Sequence, residues 1–300
     1  MYKVKPVRES TAEHYQRRFQ RLVEYIFQNL DSQLDLETLS QVACVSPYHL
    51  HRLYRCMFGE TLADTVKRVR LHYAAQALLD SQGDIEKIGI KAGYSSVQAF
   101  SRAFRAAYGM PPAKFRQQGQ QVSFSLPSVA RDTLEQTLAA PYGVTIENRA
   151  SAVVVGLSHH GNFMDIGQSF EQLYVQLIGQ NIETEQAMMC GLYLHDPFSV
   201  PESELRSMAG IILSQEERAA LTQPNNLACW QQPAGQYAVL RFKGPYQHLH
   251  KAYQWLFGDW LPQSGYLPAN TPVMEVYLNN PRQVPASELL TDICLALEVQ

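Results

Sequence analysis

Two ten-residue stretches, LHRLYRCMFG at residues 50–59 and FSRAFRAAYG at residues 100–109, are copies of one pattern. At an offset of fifty residues Arg52 aligns with Arg102, and each copy ends in a glycine. Apolar residues recur at spacings of three and four in both copies, which is the period of an amphipathic α-helix. The sequence therefore predicts two equivalent helices, each with an apolar face and a polar, basic face.

A shorter helix is predicted before each copy. The segments DLETLSQVACV at 35–45 and DIEKIGIKAGY at 84–94 begin with an aspartate suited to a helix N-cap, and Ser46 and Ser96 suit the same position on the longer helices. A short helix, a tight turn and a second helix form a helix-turn-helix, whose second helix lies in the major groove of DNA. The first half of the chain is thus expected to bind DNA twice.

The segment between the copies predicts one long helix, because apolar residues at 62, 66, 69, 73 and 77 share a face. About five turns give it a length of about 27 Å. We expect it to hold the two recognition helices about 34 Å apart, so that one monomer reads two successive major-groove segments.

The two halves of the chain differ in charge. Residues 1–120 contain 17 Lys and Arg against 11 Asp and Glu, whereas residues 121–300 contain 8 against 17. A basic first half is typical of a module that binds polyanions, and an acidic second half would repel nucleic acid. The halves are therefore expected to have different partners.

Composition bounds the class of protein. Three hundred residues suggest about two domains, and the sequence contains no secretory signal or apolar stretch long enough to span a membrane. It also lacks a C-x-x-C pair, and histidines two residues apart on a helix point away from each other. We expect a cytoplasmic protein without a metal, a cofactor or a membrane partner.

The segments SPYHLHRLYR (46–55), RVRLHYAAQALL (68–79) and IEKIGIKAGYSSVQAFSRAFRAAYGMPPAKFR (85–116) resemble the DNA-binding domain of the AraC/XylS family of bacterial transcription regulators. The resemblance implies an all-α double helix-turn-helix domain over residues 10–118, with promoter DNA and RNA polymerase as partners. Gly89 stands where the family usually has alanine, and Cys44 stands where glycine is common.

The resemblance also implies which side chains contact DNA. The base-facing residues would be Tyr48, His51 and Arg52 in the first recognition helix, and Val97, Gln98 and Arg102 in the second. Their chemistry agrees, because arginine can bind guanine, glutamine can bind adenine and valine can contact a thymine methyl group. Arg55, Arg105, Lys67, Arg68 and Lys114 would contact phosphates. For any single arginine the alternative is a solvated helix face.

A second repeat follows a predicted Gln/Ser-rich linker at residues 119–141. The stretch GLYLHDPFSVPESELRSMAGIIL (191–213) aligns with EVYLNNPRQVPASELLTDICLAL (275–297), and upstream Phe170 aligns with Tyr253. Each half predicts strand, helix, strand, strand. A duplicated β-α-β-β domain over residues 142–300 would place helices on one face of an antiparallel sheet, with a groove where the halves meet. The predicted fold class is thus multidomain, α followed by α+β.

Strand alternation selects candidate residues for that groove. Glu275 and Tyr277 share one strand face, with Tyr193 equivalent to Tyr277, while Met274 and Val276 share the other face and are expected to pack under a helix. A carboxylate flanked by aromatic rings is a plausible receptor for a cationic or amphipathic small molecule. The alternative is an acid on a solvent-exposed sheet face.

The E-x-Y strand, the Pro-rich turn and the T-x-I-x-L strand resemble the GyrI-like, or SOUL-type, effector-binding domain over residues 142–299. The resemblance implies that Glu275 lies in the ligand cleft. Trp255, Phe163 and Tyr246 are further cleft candidates, with ordinary core packing as their alternative.

The sequence therefore predicts a sequence-specific transcription regulator, and not an enzyme, whose C-terminal domain binds a small-molecule effector. Two alternatives remain open. The GyrI-like domain could hydrolyse small molecules with Glu275 as base and Tyr277 as orienting group, or it could dock a protein through its acidic surface. We expect no catalytic nucleophile, because the sequence contains no nucleophile elbow, phosphate loop or metal motif.

Overall fold

The computed structural model describes residues 11–32, 34–80, 83–120, 142–179, 188–213 and 227–298. The chain divides into two compact units. The helical unit contains the described residues from 13 to 45 and from 58 to 120; the sheet unit contains residues 11–12 and 46–57 and the described residues from 142 to 298. Nearly all of the predicted linker lies outside the described residues, so the predicted domain boundaries stay a prediction.

The first half of the chain is helical, as predicted. Its helices are α1 (Thr11–Gln28), α2 (Leu36–Ala43), α3 (Pro47–Phe58), α4 (Leu62–Asp80), α5 (Ile85–Lys91), α6 (Val97–Tyr108) and α7 (Pro112–Gln118). Asp35, Asp84 and Ser96 cap α2, α5 and α6, each accepting a hydrogen bond from a backbone N–H at 2.9, 2.9 and 3.2 Å. The Asp35 cap fixes where α2 begins, and the other two fix where each helix of the second helix-turn-helix begins.

The core of the helical unit explains the orientation of α6. Phe100 and Phe104 are fully buried, with Leu71 and Leu78 of α4 and Phe115 of α7 in the same cluster. The Phe104 and Phe115 ring centroids are 5.2 Å apart in an edge-to-face arrangement. Because its apolar face is fixed in this core, α6 turns its polar face to solvent.

Two departures from the AraC/XylS pattern have local explanations. A Cβ atom at Gly89 would lie 3.0 Å from the ring of Phe100, so Phe100 occupies the space that an alanine would need. Cys44 ends α2 in the left-handed conformation, at φ 50° and ψ 44°, where glycine is favoured because it has no Cβ. The first departure relieves crowding, whereas the second adds strain.

The sheet unit is built on one eight-stranded antiparallel sheet of described residues. Its strands are β1 (Val144–Arg149), β2 (Ala152–His160), β3 (Met188–Tyr193), β4 (Arg206–Leu213), β5 (Ala228–Gln232), β6 (Gly235–Lys243), β7 (Val273–Tyr277) and β8 (Leu290–Ala296). They are ordered β1-β6-β8-β7-β3-β4-β2-β5.

The sheet order shows the predicted duplication. Strands β2, β3 and β4 form one half and β6, β7 and β8 form the other, and the halves meet where β3 pairs with β7. The sequence pattern missed β1 and β5, which lie at the two edges. Each of them pairs with the opposite half, β1 with β6 and β5 with β2.

Besides α3, the sheet unit contains the helices α8 (Gly167–Gly179), α9 (Leu249–Trp255) and α10 (Leu261–Ser264), with a π-helical turn at Leu256–Trp260 between the last two. Leu173 and Leu177 of α8 pack in one cluster with Val153 and Val155 of β2 and Ile211 of β4. The pairing of β4 with β3 and of β3 with β7 places Glu275 of β7 on this same face of the sheet.

The expectation that Met274 and Val276 pack under a helix is therefore wrong. They lie on the opposite face, in a cluster of strand residues that includes Val154, Cys190 and Val239. Both faces of β7 are buried, so alternation could separate the two faces but could not tell which one carries the helices.

Candidate functional site

Glu275 lies at the centre of a buried hydrogen-bonded cluster on the helix-bearing face. The residue is only 4% exposed, so the alternative of an acid on an open sheet face is wrong. The hydroxyl groups of Tyr253 and Tyr277 donate hydrogen bonds to its two carboxylate oxygens, at 2.9 and 3.1 Å. The Tyr193 and Tyr277 hydroxyl oxygens are 2.7 Å apart and extend the network.

Aromatic rings surround this network. The Phe163 ring centroid lies 4.9 Å from that of Tyr193, and the Tyr246 and Phe170 centroids lie 5.5 and 5.6 Å from that of Tyr277. The structure thus brings together five of the six predicted effector-site residues: Glu275, Tyr277, Tyr193, Phe163 and Tyr246. A cage of rings around one carboxylate is suited to a cation.

Gly191 of β3 lies opposite Glu275 in the register of β3 and β7. A Cβ atom at this position would lie 2.8 Å from the Tyr277 hydroxyl oxygen and 2.8 Å from the Tyr193 ring. The missing side chain at residue 191 therefore leaves the space that the tyrosine pair occupies.

Trp255 is not part of this cluster. Its ring lies 5.7 Å from the ring of Tyr142, and it is two residues from Tyr253 on α9, so the two side chains point in different directions. Sequence reasoning instead missed Tyr253 and Phe170 as site residues. The signal was present, because the two residues align with each other in the repeat.

Burial controls the acid–base behaviour of the cluster. It raises the pKa of Glu275 from 4.5 to about 7, although hydrogen bonds from Tyr253 and Tyr277 and the charge of Arg52 act in the opposite direction. Burial and the nearby Glu275 carboxylate raise the pKa of Tyr246 to about 12. Near neutral pH the Glu275 carboxyl can therefore gain or lose a proton, and its charged form is stabilised by a cation.

The predicted DNA-contacting residues of α6 lie on an open surface. Ser96, Gln98, Arg102 and Arg105 are exposed and Val97 is half-buried. The Arg102 Nε–H donates a hydrogen bond to the Gln98 carbonyl oxygen at 3.4 Å. Contact of these side chains with bases and phosphates stays a prediction, and their exposure is compatible with it.

The predicted DNA-contacting arginines of α3 lie inside the sheet unit. Arg52 is 3% exposed, and its guanidinium carbon lies 4.5 Å from the Tyr253 ring centroid and 5.3 Å from that of Phe257. Arg55 forms a salt bridge with Asp196, with Nε 2.9 Å from Oδ2. Contact of these arginines with DNA stays a prediction.

The remaining predicted residues of α3 contact the same unit. The Ser46 hydroxyl donates a hydrogen bond to Asn270 at 2.7 Å, and the Tyr48 ring lies 6.1 Å from the Trp230 ring. His51 is partly buried, and burial lowers its pKa. Several polar side chains of α3 are therefore in contact with, or partly buried against, the sheet unit.

Comparison with known families identifies both parts of the chain. The sequence model of the GyrI-like small molecule binding domain matches residues 143–298, more than half of the chain. The chain belongs to the GyrI-like family. A helix-turn-helix domain model, of the AraC type, matches residues 39–118. The GyrI-like chain thus joins a DNA-binding domain to a small-molecule-binding domain, as the sequence motifs predict.

Similar proteins match the DNA-binding part of this GyrI-like chain. The bifunctional transcriptional activator/DNA repair enzyme AdaA of Bacillus subtilis is 35% identical over 96 residues, which are 32% of this chain and 46% of AdaA. The regulatory protein SoxS of Salmonella typhimurium is 30% identical over 102 residues, which are 34% of this chain and 95% of SoxS. The chain therefore spans less than half of AdaA and nearly all of SoxS.

The solved structure of the EcmrR C-terminal domain is similar to a part of this chain. It is 19% identical, has a TM-score of 0.44 and covers 53% of this chain and 99% of that domain.

The described residues of the GyrI-like chain contain no group of three or more His, Cys, Asp or Glu side chains arranged to hold a metal ion. None of their helices combines the length and the apolar character needed to cross a bilayer.

Proposed function

We propose that this protein is a cytoplasmic transcription regulator, without enzymatic activity, that reads promoter DNA, works with RNA polymerase and binds a cationic small-molecule effector. One observation carries the proposal: the chain joins the exposed, basic face of α6 to a buried carboxylate enclosed by aromatic rings. The first feature is suited to a polyanion and the second to a cation.

The α6 face supports DNA reading. Arg102 and Gln98 are exposed on successive turns of a helix that follows a capped helix-turn-helix turn. Arginine and glutamine make the bidentate contacts that distinguish guanine and adenine in the major groove. Arg105 lies one turn beyond Arg102 and would contact a phosphate, which sets affinity and register.

The Glu275 cluster supports effector binding. A buried carboxylate with a raised pKa carries only part of its charge at neutral pH, and a cation bound beside it would complete the ionisation. The rings around it add cation–π attraction. A neutral ligand of the same shape would gain neither the attraction to the Glu275 carboxylate nor the cation–π attraction to the rings.

The DNA half of the proposal is tested with Arg102→Ala in the full chain. A DNA site is first selected from a random pool by the wild-type protein, and affinity is then measured at one fixed salt concentration. Loss of one bidentate base contact predicts a loss of specific affinity of about 10- to 100-fold. Arg282→Ala removes an exposed arginine paired with Glu171 in the sheet unit and serves as the control. Unchanged affinity of Arg102→Ala would contradict the assignment of Arg102 as a residue that contacts a base.

The effector half is tested by calorimetry of the full chain against cationic compounds and their neutral isosteres. Binding is expected for cations alone and should weaken in Glu275→Gln, which keeps the size of the side chain and removes its charge. Binding that is equal for charged and neutral compounds would overturn this half.

Hydrolysis of a small electrophile is the second candidate function. A carboxylate whose pKa is about 7 is well matched to general-base work at neutral pH, and the Tyr277 hydroxyl beside it could orient a water molecule. An epoxide such as styrene oxide is a suitable probe. Turnover that disappears in Glu275→Gln would support this candidate, and turnover that survives would remove it.

A further inference from the structure

The sheet unit holds α3 through polar contacts along the helix. Near its first turn, His49 Nε2 lies 3.1 Å from the Ala269 carbonyl oxygen. Toward its end, the Arg55 Nε and Nη2 atoms lie 2.9 and 3.2 Å from the two Asp196 carboxylate oxygens. Asp196 is itself buried, and the Ser199 hydroxyl donates it a further hydrogen bond at 2.6 Å. These directional contacts make the surface formed by Asp196, Ser199 and Ala269 a specific binding site for α3, which we call the seat of the helix.

Arg52 is buried in this seat without a salt bridge among the described residues. Its Nη2 atom donates a hydrogen bond to the His195 carbonyl oxygen at 3.0 Å, whereas its Nη1 atom is buried and has no hydrogen-bond partner in the described part of the chain. The faces of Tyr253 and Phe257 stabilise the charge instead. Burying a cation without a salt bridge costs free energy. A competing ligand therefore needs less binding free energy to displace Arg52 from this position.

Tyr253 connects Arg52 to the Glu275 cluster. Its ring face lies against the Arg52 guanidinium, and its hydroxyl donates the hydrogen bond to Glu275. The positive charge of Arg52 favours the ionised form of Glu275. Arg52 therefore supplies to this carboxylate the kind of charge that a cationic ligand would supply.

The two recognition helices differ in state although their sequences repeat. Arg102 on α6 is exposed, and its repeat partner Arg52 on α3 is 3% exposed. A helix enters the major groove with its polar side chains free to meet base edges. In this structure α6 meets that condition and α3 does not.

We propose that Arg52 is an internal occupant of the cation position at the effector site, and that a cationic effector displaces Arg52 and frees α3 to bind DNA. This inference rests on the proposed function. Two positive charges compete for one buried carboxylate, so effector binding and the seating of α3 oppose each other. By linkage, the effector then raises DNA affinity and DNA raises effector affinity by the same factor.

The competition is tested with benzyltrimethylammonium as the probe cation and neopentylbenzene as its neutral isostere. Arg52→Met keeps an apolar side chain between the rings and removes the charge. Calorimetry of the full chain should show the probe binding at least ~10-fold more tightly to Arg52→Met than to wild type. Arg282→Met makes the same change at an exposed arginine of the sheet unit, paired with Glu171, and should bind the probe as wild type does.

Equal probe binding by wild type and Arg52→Met would overturn the competition, because Arg52 would then not occupy a cation position. No probe binding by either protein, or binding of neopentylbenzene as tight as that of the cation, would overturn the effector half of the proposed function, and the inference that rests on it would fail with it.

The release of α3 is tested by substitutions in the sheet-unit residues that contact the helix, with no change in the helix itself. Asp196→Asn removes the carboxylate that holds Arg55, and Phe198→Ala removes an exposed ring 4.5 Å from the same guanidinium. Either variant should bind the selected DNA about 10-fold more tightly and lengthen its footprint by about 10 base pairs, one further groove segment. Asp292→Asn breaks the bidentate pair with Arg241 elsewhere in the sheet unit and should leave both values unchanged.

Failure of the inference can be told from failure of the proposed function. If Arg102→Ala abolishes specific DNA binding but both seat variants bind as wild type does, the regulator stands and the seating of α3 has no regulatory role. If Arg102→Ala has no effect, the proposed function itself fails.

Discussion

Cys44 carries a conformational cost that a single substitution should remove. It ends α2 in the left-handed region, where a side chain beyond glycine costs about 1–2 kcal/mol. Cys44→Gly is therefore expected to raise the free energy of unfolding of the helical unit by about 0.5–1 kcal/mol, the flexibility of glycine in the unfolded chain offsetting part of the gain. Urea unfolding followed by far-ultraviolet circular dichroism measures it.

Cys44→Ala is the control, because it removes the thiol and keeps the strained Cβ. A gain in stability that is equal in both variants would mean that the thiol, and not the backbone conformation, carries the cost.

Glu275 should make the sheet unit less stable as pH rises. Its folded pKa of about 7 exceeds its ordinary value of 4.5, so the folded state binds the proton more tightly than the unfolded state. The stabilising contribution is complete below pH 4.5 and is lost as pH rises through about 7, by at most about 3 kcal/mol. Glu275→Gln should lack this loss, so its stability relative to wild type should increase over that range.

Tryptophan fluorescence during urea unfolding can follow this effect, since Trp230, Trp255 and Trp260 all belong to the sheet unit. A difference between Glu275→Gln and wild type that stays constant with pH would show that the carboxyl is not buried in its neutral form.

Glu275 could be selected from the sequence because strand alternation and the resemblance to the GyrI-like domain both point to it. The burial of Arg52 could not be predicted from the sequence. Arg52 and Arg102 occupy the same place in the same local pattern, yet Arg52 contacts His195 and Tyr253, which are more than 140 positions away in sequence. Local periodicity carries no information on contacts of that kind.

At the scale of single elements, the pairing of β2 with β4 depends on a pair of facing glycines, Gly156 and Gly210. A Cβ atom at Gly156 would lie 2.0 Å from the Ala209 carbonyl oxygen. Gly156→Ala must therefore push the strands apart and is expected to destabilise the sheet unit by more than about 2 kcal/mol. Gly143→Ala, where a Cβ meets nothing within 4 Å, should be nearly neutral. Equal melting temperatures of the two variants would contradict the close approach.

Most elements follow from sequence signals with a physical cause. Asp84 and Ser96 mark helix starts because their side chains accept free backbone N–H groups. The edge strands β1 and β5 escaped prediction because VTIENR and ACWQQ each have exposed, partly polar faces and little apolar alternation. Their place in the sheet is set by partners in the opposite half.

At the scale of the whole molecule, charge and the two repeats suffice to predict two kinds of structure in one chain. They do not predict that residues 46–57 form a compact unit with the C-terminal region. That grouping depends on contacts such as Arg55 with Asp196, whose partners lie in different repeats.

The exchanged edge strands make the two halves of the sheet mutually dependent. A chain cut between β4 and β5 would give one fragment that keeps β1 but has lost its β6 neighbour, and another that keeps β5 but has lost β2. We expect the co-expressed fragments to co-purify as a stoichiometric complex, and either fragment alone to aggregate through its unsatisfied strand edge. Two fragments that each stay soluble and monomeric would contradict this. Because of this pairing, we expect the duplicated halves to be obligate partners of each other.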